Sequence, residues 1–299
     1  MNGPSNALPP AAVLRPITPA DLAAVHALHV RVERHDRIPI STPLEEFDEW
    51  LTDPHLDLET DTRLVEVGGQ VVAWGRIWYR PSGEREERTF VVGAVDPGHR
   101  GQGIGRALLA WQLARSREIL HASSQTLPRY IRAYCYDFEQ GPLRLYARHG
   151  LRPVRYAAEM LRDLETLPAQ TSVPDISIIP WERAREEEAR LVMNDAFADH
   201  WASTRRGPEA WQHELDSHGS RPDLSFFALE NGRMVGATRN SHYPSDHALN
   251  GRLDGWVGQI GVLRSHRKRG IASALIAASL AAFRQAGLTH SALGVDSEN

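Results

Sequence analysis

The sequence predicts an α/β protein built from two tandem copies of one domain, and two observations carry the prediction. Strand-like and helix-like segments follow one another in the same order in each half of the chain. The stretch HRGQGIGRALL (residues 99–109) is echoed by HRKRGIASALI (residues 266–276), with Arg100 and Arg267 standing 167 positions apart. A chain of 299 residues with 41% hydrophobic residues has room for two ordinary cores, since domains run to ~100–200 residues.

After a lead rich in Pro, Asn and Ala, VLRPI (Val13–Ile17) reads as a short strand. Thr18-Pro19-Ala20-Asp21 starts a helix, with a Thr cap, proline at the first helical position and an acid in the first turn; DLAAVHALHVRVERH continues it. Thr42-Pro43-Leu44-Glu45 repeats that signal as a capping box opening PLEEFDEWL. RLVEV and VVAWGRIWY flank Gly68-Gly69 as a hairpin, and RTFVVGAV is a further strand ended by Asp96-Pro97-Gly98. The glycine turn and the helix IGRALLAWQLARSREIL come next. Then follow the strand YIRAYCYDF, the helix GPLRLYARHG closed by Gly150, and a last strand, LRPVRYAAEML. Residues 1–165 are thus the expected first domain, 166–175 (polar, with two prolines) the linker, and 176–299 the second domain.

The second half restarts the order. ISIIPW is a strand, ERAREEEARLVMNDAFADHW and PEAWQHELDS are helices, and LSFFALE-NG-RMVGATRNSHY is a hairpin whose Asn231-Gly232 suits a type I′ turn. The strand GWVGQIGVL, the second turn, the helix IASALIAASLAAFRQAG and the strand SALGVD complete the match.

A formal net charge of −4 gives no global basic field, so nucleic acid is not an expected partner. Cys135 is the only cysteine, which rules out an intrachain disulfide and points to a reducing cytoplasm; its β-rich surroundings predict a packed thiol. The N-terminus lacks the basic and apolar regions of a signal peptide. No apolar run approaches the ~20 residues that span a bilayer, so no membrane association is expected. No His, Cys and acidic cluster has metal-ligand spacing, and no metal is expected.

A glycine-rich turn opening a helix favours an anion, because free backbone N–H groups and the helix dipole converge there. Glycine lets the backbone approach the ligand closely. The turns do not fit a dinucleotide fingerprint, since the Gly-x-Gly-x-x-Gly frame from Gly101 reaches Arg106 where the third glycine belongs. That argues against a nicotinamide-dependent oxidoreductase. The Gly-Lys-Ser/Thr of a Walker loop is absent from both turns. A purely structural turn would explain one copy, but not two in matching strand–turn–helix settings.

Arg100-x-x-Gly103-x-Gly105 and Arg267-x-x-Gly270-x-Ala272 resemble the (Gln/Arg)-x-x-Gly-x-(Gly/Ala) pyrophosphate loop of the GNAT superfamily, the acyl-CoA-dependent N-acyltransferases. The resemblance extends over roughly residues 12–165 and 174–299, and the layout is similar to mycothiol synthase and related actinobacterial acetyltransferases without fixing that substrate. It implies two tandem domains, each a mixed, mostly antiparallel sheet flanked by helices. It also implies direct transfer of an acetyl group from acetyl-CoA to an amine of a small molecule. A homodimer is compatible with it. The alternative is a non-catalytic acyl-CoA-binding or scaffolding protein.

The same resemblance implies site residues. The diphosphate would meet Arg100, Gly101, Gln102, Gly103, Ile104, Gly105 and Arg106 in the first copy, and Arg267, Lys268, Arg269, Gly270, Ile271, Ala272 and Ser273 in the second. The pantetheine arm would pair along the preceding strand at Ala94-Val95 and Gly261-Val262, where a backbone N–H polarises the thioester carbonyl. Tyr146, in LRLYARHGL, falls where the family carries the acid that protonates the departing thiolate. The strands before the loops hold no acid. Glu87 and Asp254, again 167 positions apart, stand at or just before their starts as base candidates acting through water, or else as exposed strand-end carboxylates. His242 and His247 are further candidates, while His29, Glu33 and His35 read as surface or cap residues near the family's acceptor site. Aligning the copies pairs Gln140 with Asn299, so the second domain is expected to be truncated, without a counterpart of Tyr146 or a neighbour for its last strand.

Overall fold

Gly68-Gly69 (φ 59° and 78°) and Asn231-Gly232 (φ 49° and 79°) each turn through two left-handed residues, as two-residue hairpins require. The structure, a computed structural model, describes residues 8–79, 85–169, 172–200 and 203–297. Its contacts divide the chain into two units, Met1–Pro153 and Val154–Asn299.

The first unit runs β1 (Ala12–Arg15), α1 (Leu22–Asp36), α2 (Leu44–Leu51), α3 (Leu58–Asp61), β2 (Thr62–Val67), β3 (Gln70–Tyr79), β4 (Glu87–Val95), α4 (Ile104–Ala122), β5 (Arg129–Arg132) and α5 (Gln140–Arg148). The sheet order is β1-β2-β3-β4-β5, antiparallel except for the parallel pair β4/β5. Ile17, Leu28, Phe47, Leu64 and Trp74 form the core under α1 and α2. On the other face, the α4 residues Ile104, Leu108, Leu109 and Leu113 meet Val65, Val72, Ile77 and Val91 at helical spacing. The Thr18 start forms as expected, with Asp21 accepting from the Thr18 N–H and hydroxyl at 2.8 and 2.7 Å. The expected capping box at Thr42 does not form. Its hydroxyl donates instead to Glu33 of α1 at 2.6 Å, where a buried carboxylate needs a partner.

The second unit runs β6 (Ala157–Asp163), β7 (Ile176–Pro180), α6 (Glu186–Ala196), α7 (Pro208–Leu215), β8 (Phe226–Glu230), β9 (Arg233–His242), α8 (His247–Asn250), β10 (Asp254–Val262), α9 (Ile271–Gln285) and β11 (His290–Asp296). Its sheet order is β6-β11-β10-β9-β8-β7, with only β10/β11 parallel. Met193, Trp211, Phe227, Met234 and Ala237 pack under α6 and α7, while Ile271, Leu275, Leu280 and Phe283 of α9 fill the other face.

Four expectations are corrected here. The segment read as the last strand of the first domain is β6, and it belongs to the second sheet. It pairs with the outer edge of β11 from His290↔Asp163 through Asp296↔Ala157, so backbone groups that would stand open on β11 are satisfied. The neighbour that the last strand lacks in sequence order therefore comes from upstream. The boundary accordingly moves to Pro153/Val154. Residues 166–175 are not a free linker either: Leu167 packs against the α9 cluster and Val173 is buried, while Gln170 and Thr171 lie outside the described residues. Finally, β5 stops at Arg132, so Cys135 sits beyond the strand and is half-buried.

Candidate active site

In both units the central parallel pair unzips. Strand β4 pairs with β5 only from Glu87 to Phe90, and β10 with β11 only from Asp254 to Trp256. Beyond those points Val91–Val95 and Val257–Val262 have no strand neighbour on that side among the described residues. A wedge with unpaired backbone groups on its wall results, and a ligand with amide groups could bond to it. The halves then differ. The register of β10 on β9 pairs Val257 with Asn240 and Gln259 with Arg239, leaving Gly258 as the extra residue of a β-bulge. Strand β4 pairs with β3 from Thr89 to Val95 without a shift. A bulge bends its strand and re-aims the residues beyond it.

Each strand runs into a turn with left-handed residues at matching places. In the first copy these are Gly101 (φ 79°) and Gly103 (φ 89°), which opens α4. In the second they are Lys268 (φ 61°) and Gly270 (φ 85°), which opens α9. Lysine carries a backbone penalty there that glycine does not, so the turn geometry is held by its surroundings. Both turns thus aim the free N–H groups of a helix N-terminus into solvent-accessible space, without a Cβ at the helix cap.

The charges around the two turns are not alike. Arg100 donates to both carboxylate oxygens of Asp36, at the end of α1, at 2.7 and 2.6 Å, and its Nε reaches the Val95 carbonyl at 3.1 Å. Burial pushes the Asp36 carboxyl up, but the hydrogen bonds from Arg100 and His35 hold it below its ordinary value. Among the described residues Arg267 bonds to carbonyls alone, those of Ala196 at 2.7 Å and Val262 at 3.3 Å, and meets no carboxylate. Arg269 is paired with Glu230 at 2.7 Å, which also takes His266 at 3.0 Å. Of the arginines expected to meet a diphosphate, Arg100 and Arg269 are therefore already neutralised by carboxylates.

A cavity of about 590 Å³ lies against the second turn. Gly261, Val262, Arg267, Lys268, Gly270, Ile271, Ala272 and Ser273 line it, together with Ala196, Phe197, Asp199, His200, Ile260 and His266. Most of the cofactor residues expected in this half are thus brought to one place. A second cavity, about 560 Å³, lies at the other end of β4, beside Tyr79, Glu87 and Arg115, and includes no residue of the first turn.

The base candidates are not brought to the wedge. Glu87 is fully buried and accepts from the Tyr79 hydroxyl at 2.6 Å. Asp254 is buried and takes Arg252 Nε at 3.0 and 2.9 Å. Neither is the exposed carboxylate expected. Each stands seven residues before Ala94 or Gly261, about 23 Å at ~3.3 Å per strand residue, which is beyond the reach of a base or a single water. His242 bonds the Asp254 carbonyl at 2.9 Å, at that same far end, and His247 opens α8. His29 and Glu33 are not surface residues: they face each other at 3.1 Å, with Glu33 buried, whereas His35 is exposed beside Asp36. Tyr146 lies on α5 against Ile77, Val91, Leu109 and Leu113. Burial first, then Cys135 and Glu139, raise its phenol well above the ordinary tyrosine value, which keeps the proton an acid needs. Burial, with Glu139, likewise raises the Cys135 thiol, as fits an unreactive cysteine. Among the described residues no His, Cys and acidic group forms a metal site.

Sequence reasoning missed Asp36 and His200. Asp36 ends α1 and His200 follows α6, both far upstream of the turns and without a local motif.

Two family models match the chain: "Acetyltransferase (GNAT) domain" over residues 60–152 and "Acetyltransferase (GNAT) family" over residues 186–299. The chain belongs to the GNAT acetyltransferases. It holds two such domains, one per unit. A mycothiol acetyltransferase from Thermobispora bispora is 33% identical over 218 residues, 69% of this chain and 66% of that protein. Another from Parafrankia is 27% identical over 308 aligned residues, 96% and 90% of the two chains. Among solved structures, a GCN5-related N-acetyltransferase from Sphaerobacter thermophilus superposes with TM-score 0.76 at 26% identity, covering 97% of this chain and 88% of that one. A tandem GNAT protein from the clavulanic acid biosynthesis pathway shares the fold, with TM-score 0.67 at 19% identity over 96% and 91%. No helix among the described residues is long and apolar enough to cross a membrane.

Proposed function

We propose that the protein transfers an acetyl group from acetyl-CoA to an amine of a small molecule, and that the thioester binds in the second unit. The cavity bounded by Gly261-Val262 and the Arg267–Ser273 turn carries this reading, because it joins an unpaired strand edge, a helix N-terminus and an uncompensated arginine. The N–H groups at Gly270–Ser273 and the charge of Arg267 suit a diphosphate. The free edge of β10 beyond the bulge at Gly258 suits the amide-bearing arm, with the thioester along Ile260–Val262. Backbone donors placed there would stabilise the developing oxyanion. Relatives named for mycothiol acetylation support a small-molecule acceptor.

Release of free thiol from acetyl-CoA, followed across a panel of small amines, tests the proposal. Release that depends on one class of amine is the expected result. Tight CoA binding without acceptor-dependent release would make the protein a binding module instead.

A further inference from the structure

We propose that His200 is the general base of the second unit, the residue that takes the proton from the acceptor amine. This rests on the reading that the second unit is the site of acetyl transfer. His200 lies just after α6 on the wall of the 590 Å³ cavity that also exposes Ile260, Gly261 and Val262, the strand segment along which the thioester is placed. Five side chains lining that cavity can carry charge: Asp199, His200, His266, Arg267 and Lys268.

Four of the five are poor bases for physical reasons. Arg267 and Lys268 are residue types that offer hydrogen-bond donors and no acceptor. Asp199 is ion-paired with Arg264, which commits its carboxylate. His266 has both ring nitrogens engaged, Nδ1 with the Ser265 hydroxyl at 2.8 Å and Nε2 with Glu230 at 3.0 Å. The imidazole of His200 meets the Phe197 ring edge-on, at 5.4 Å between centroids, and makes no side-chain hydrogen bond among the described residues. The packed ring limits its motion while both nitrogens stay available, and histidine is the side chain best suited to proton transfer near neutral pH.

The step balances with this single group. The amine lone pair forms a C–N bond to the acetyl carbon as the C–S bond breaks. The N–H proton passes to His200, and the imidazolium returns it to the departing thiolate of CoA. The products are an N-acetyl amine and free CoA, with His200 neutral again.

The charged groups facing His200 are Asp199 with Arg264, His266 with Glu230 and Arg269, and Arg267 and Lys268; Asp195 with Arg205 lies on the same segment. Since several of these titrate or contact the cofactor, turnover and cofactor binding are to be read separately. In the full chain, with the best amine from the panel, His200→Gln is expected to lower kcat by ~100-fold while the KM for acetyl-CoA stays within about twofold. The variant should also lose the acidic limb of the kcat/KM–pH profile, and added imidazole should restore turnover to His200→Ala. Calorimetric binding of CoA to both variants shows that the cavity is intact. An unchanged kcat overturns the proposal, as does a raised KM at constant kcat, which would make His200 a diphosphate contact. Absence of acceptor-dependent release in the unaltered protein would instead overturn the transferase reading beneath it.

Discussion

The two turns share a backbone and differ in charge. Both place left-handed residues at the same two positions and open a helix with glycine, yet Asp36 occupies the arginine of the first while a main-chain carbonyl of α6 meets the arginine of the second. A carboxylate already seated on Arg100 repels a second anion, whereas a carbonyl orients Arg267 without cancelling its charge. The comparison extends to the strands: β10 carries a bulge at the wedge and β4 does not. The two halves therefore share the loop geometry, and differ in whether the motif arginine, Arg100 or Arg267, meets a carboxylate or a carbonyl.

The sharpest way to break this comparison is to damage the two caps equally. Gly270→Val and Gly103→Val impose similar backbone strain at φ 85° and 89°, and should lower thermal stability alike. Gly270→Val is expected to raise the KM for acetyl-CoA by ~100-fold, and Gly103→Val by less than about threefold. Equal effects on KM would show that both turns hold the cofactor.

A smaller effect is expected from Asp36→Asn, which frees Arg100. Calorimetry should then detect an additional, weaker CoA-binding event; if the unaltered protein already shows it, the first turn is not closed by its own ion pair. The same variant has a pH signature. The folded pKa of Asp36 lies below its unfolded value, so the pair's stabilisation is complete above about pH 4 and is lost as pH falls through the folded value. Asp36→Asn should therefore flatten the acid limb of the stability curve and lower the neutral-to-basic plateau by an amount that does not vary with pH.

The smallest expected effect is that of Tyr146→Phe. If transfer occurs in the second unit, kcat should change by less than about twofold. A loss of tenfold or more would move the chemistry to the first unit, where this half-buried, proton-retaining phenol stands.

Much of the fold was legible in the residues. The hairpins at Gly68-Gly69 and Asn231-Gly232, the strand–turn–helix repeats and the apolar stripes of α4 and α9 all depend on periods and turn residues within a few positions of one another. The capping box at Thr42 failed because a buried Glu33, nine residues away, competed for the hydroxyl. The strand Ala157–Asp163 was read correctly as a strand but assigned to the wrong sheet, because pairing depends on which edge is open and not on the strand's own composition. Glu87 and Asp254 matched in spacing, but their distance from the wedge follows from strand rise, and their burial from Tyr79 and Arg252.

By itself the sequence determined that a diphosphate-type turn occurs twice, since glycine placement and helix periodicity are local properties. Tertiary structure alone decided which motif arginine meets a carboxylate, which strand closes the second sheet and which imidazoles line the cavity. Asp36, β6 and His200 act on residues 64, about 130 and about 60 positions away, and contacts at such separations are set by packing rather than by any pattern the chain carries locally.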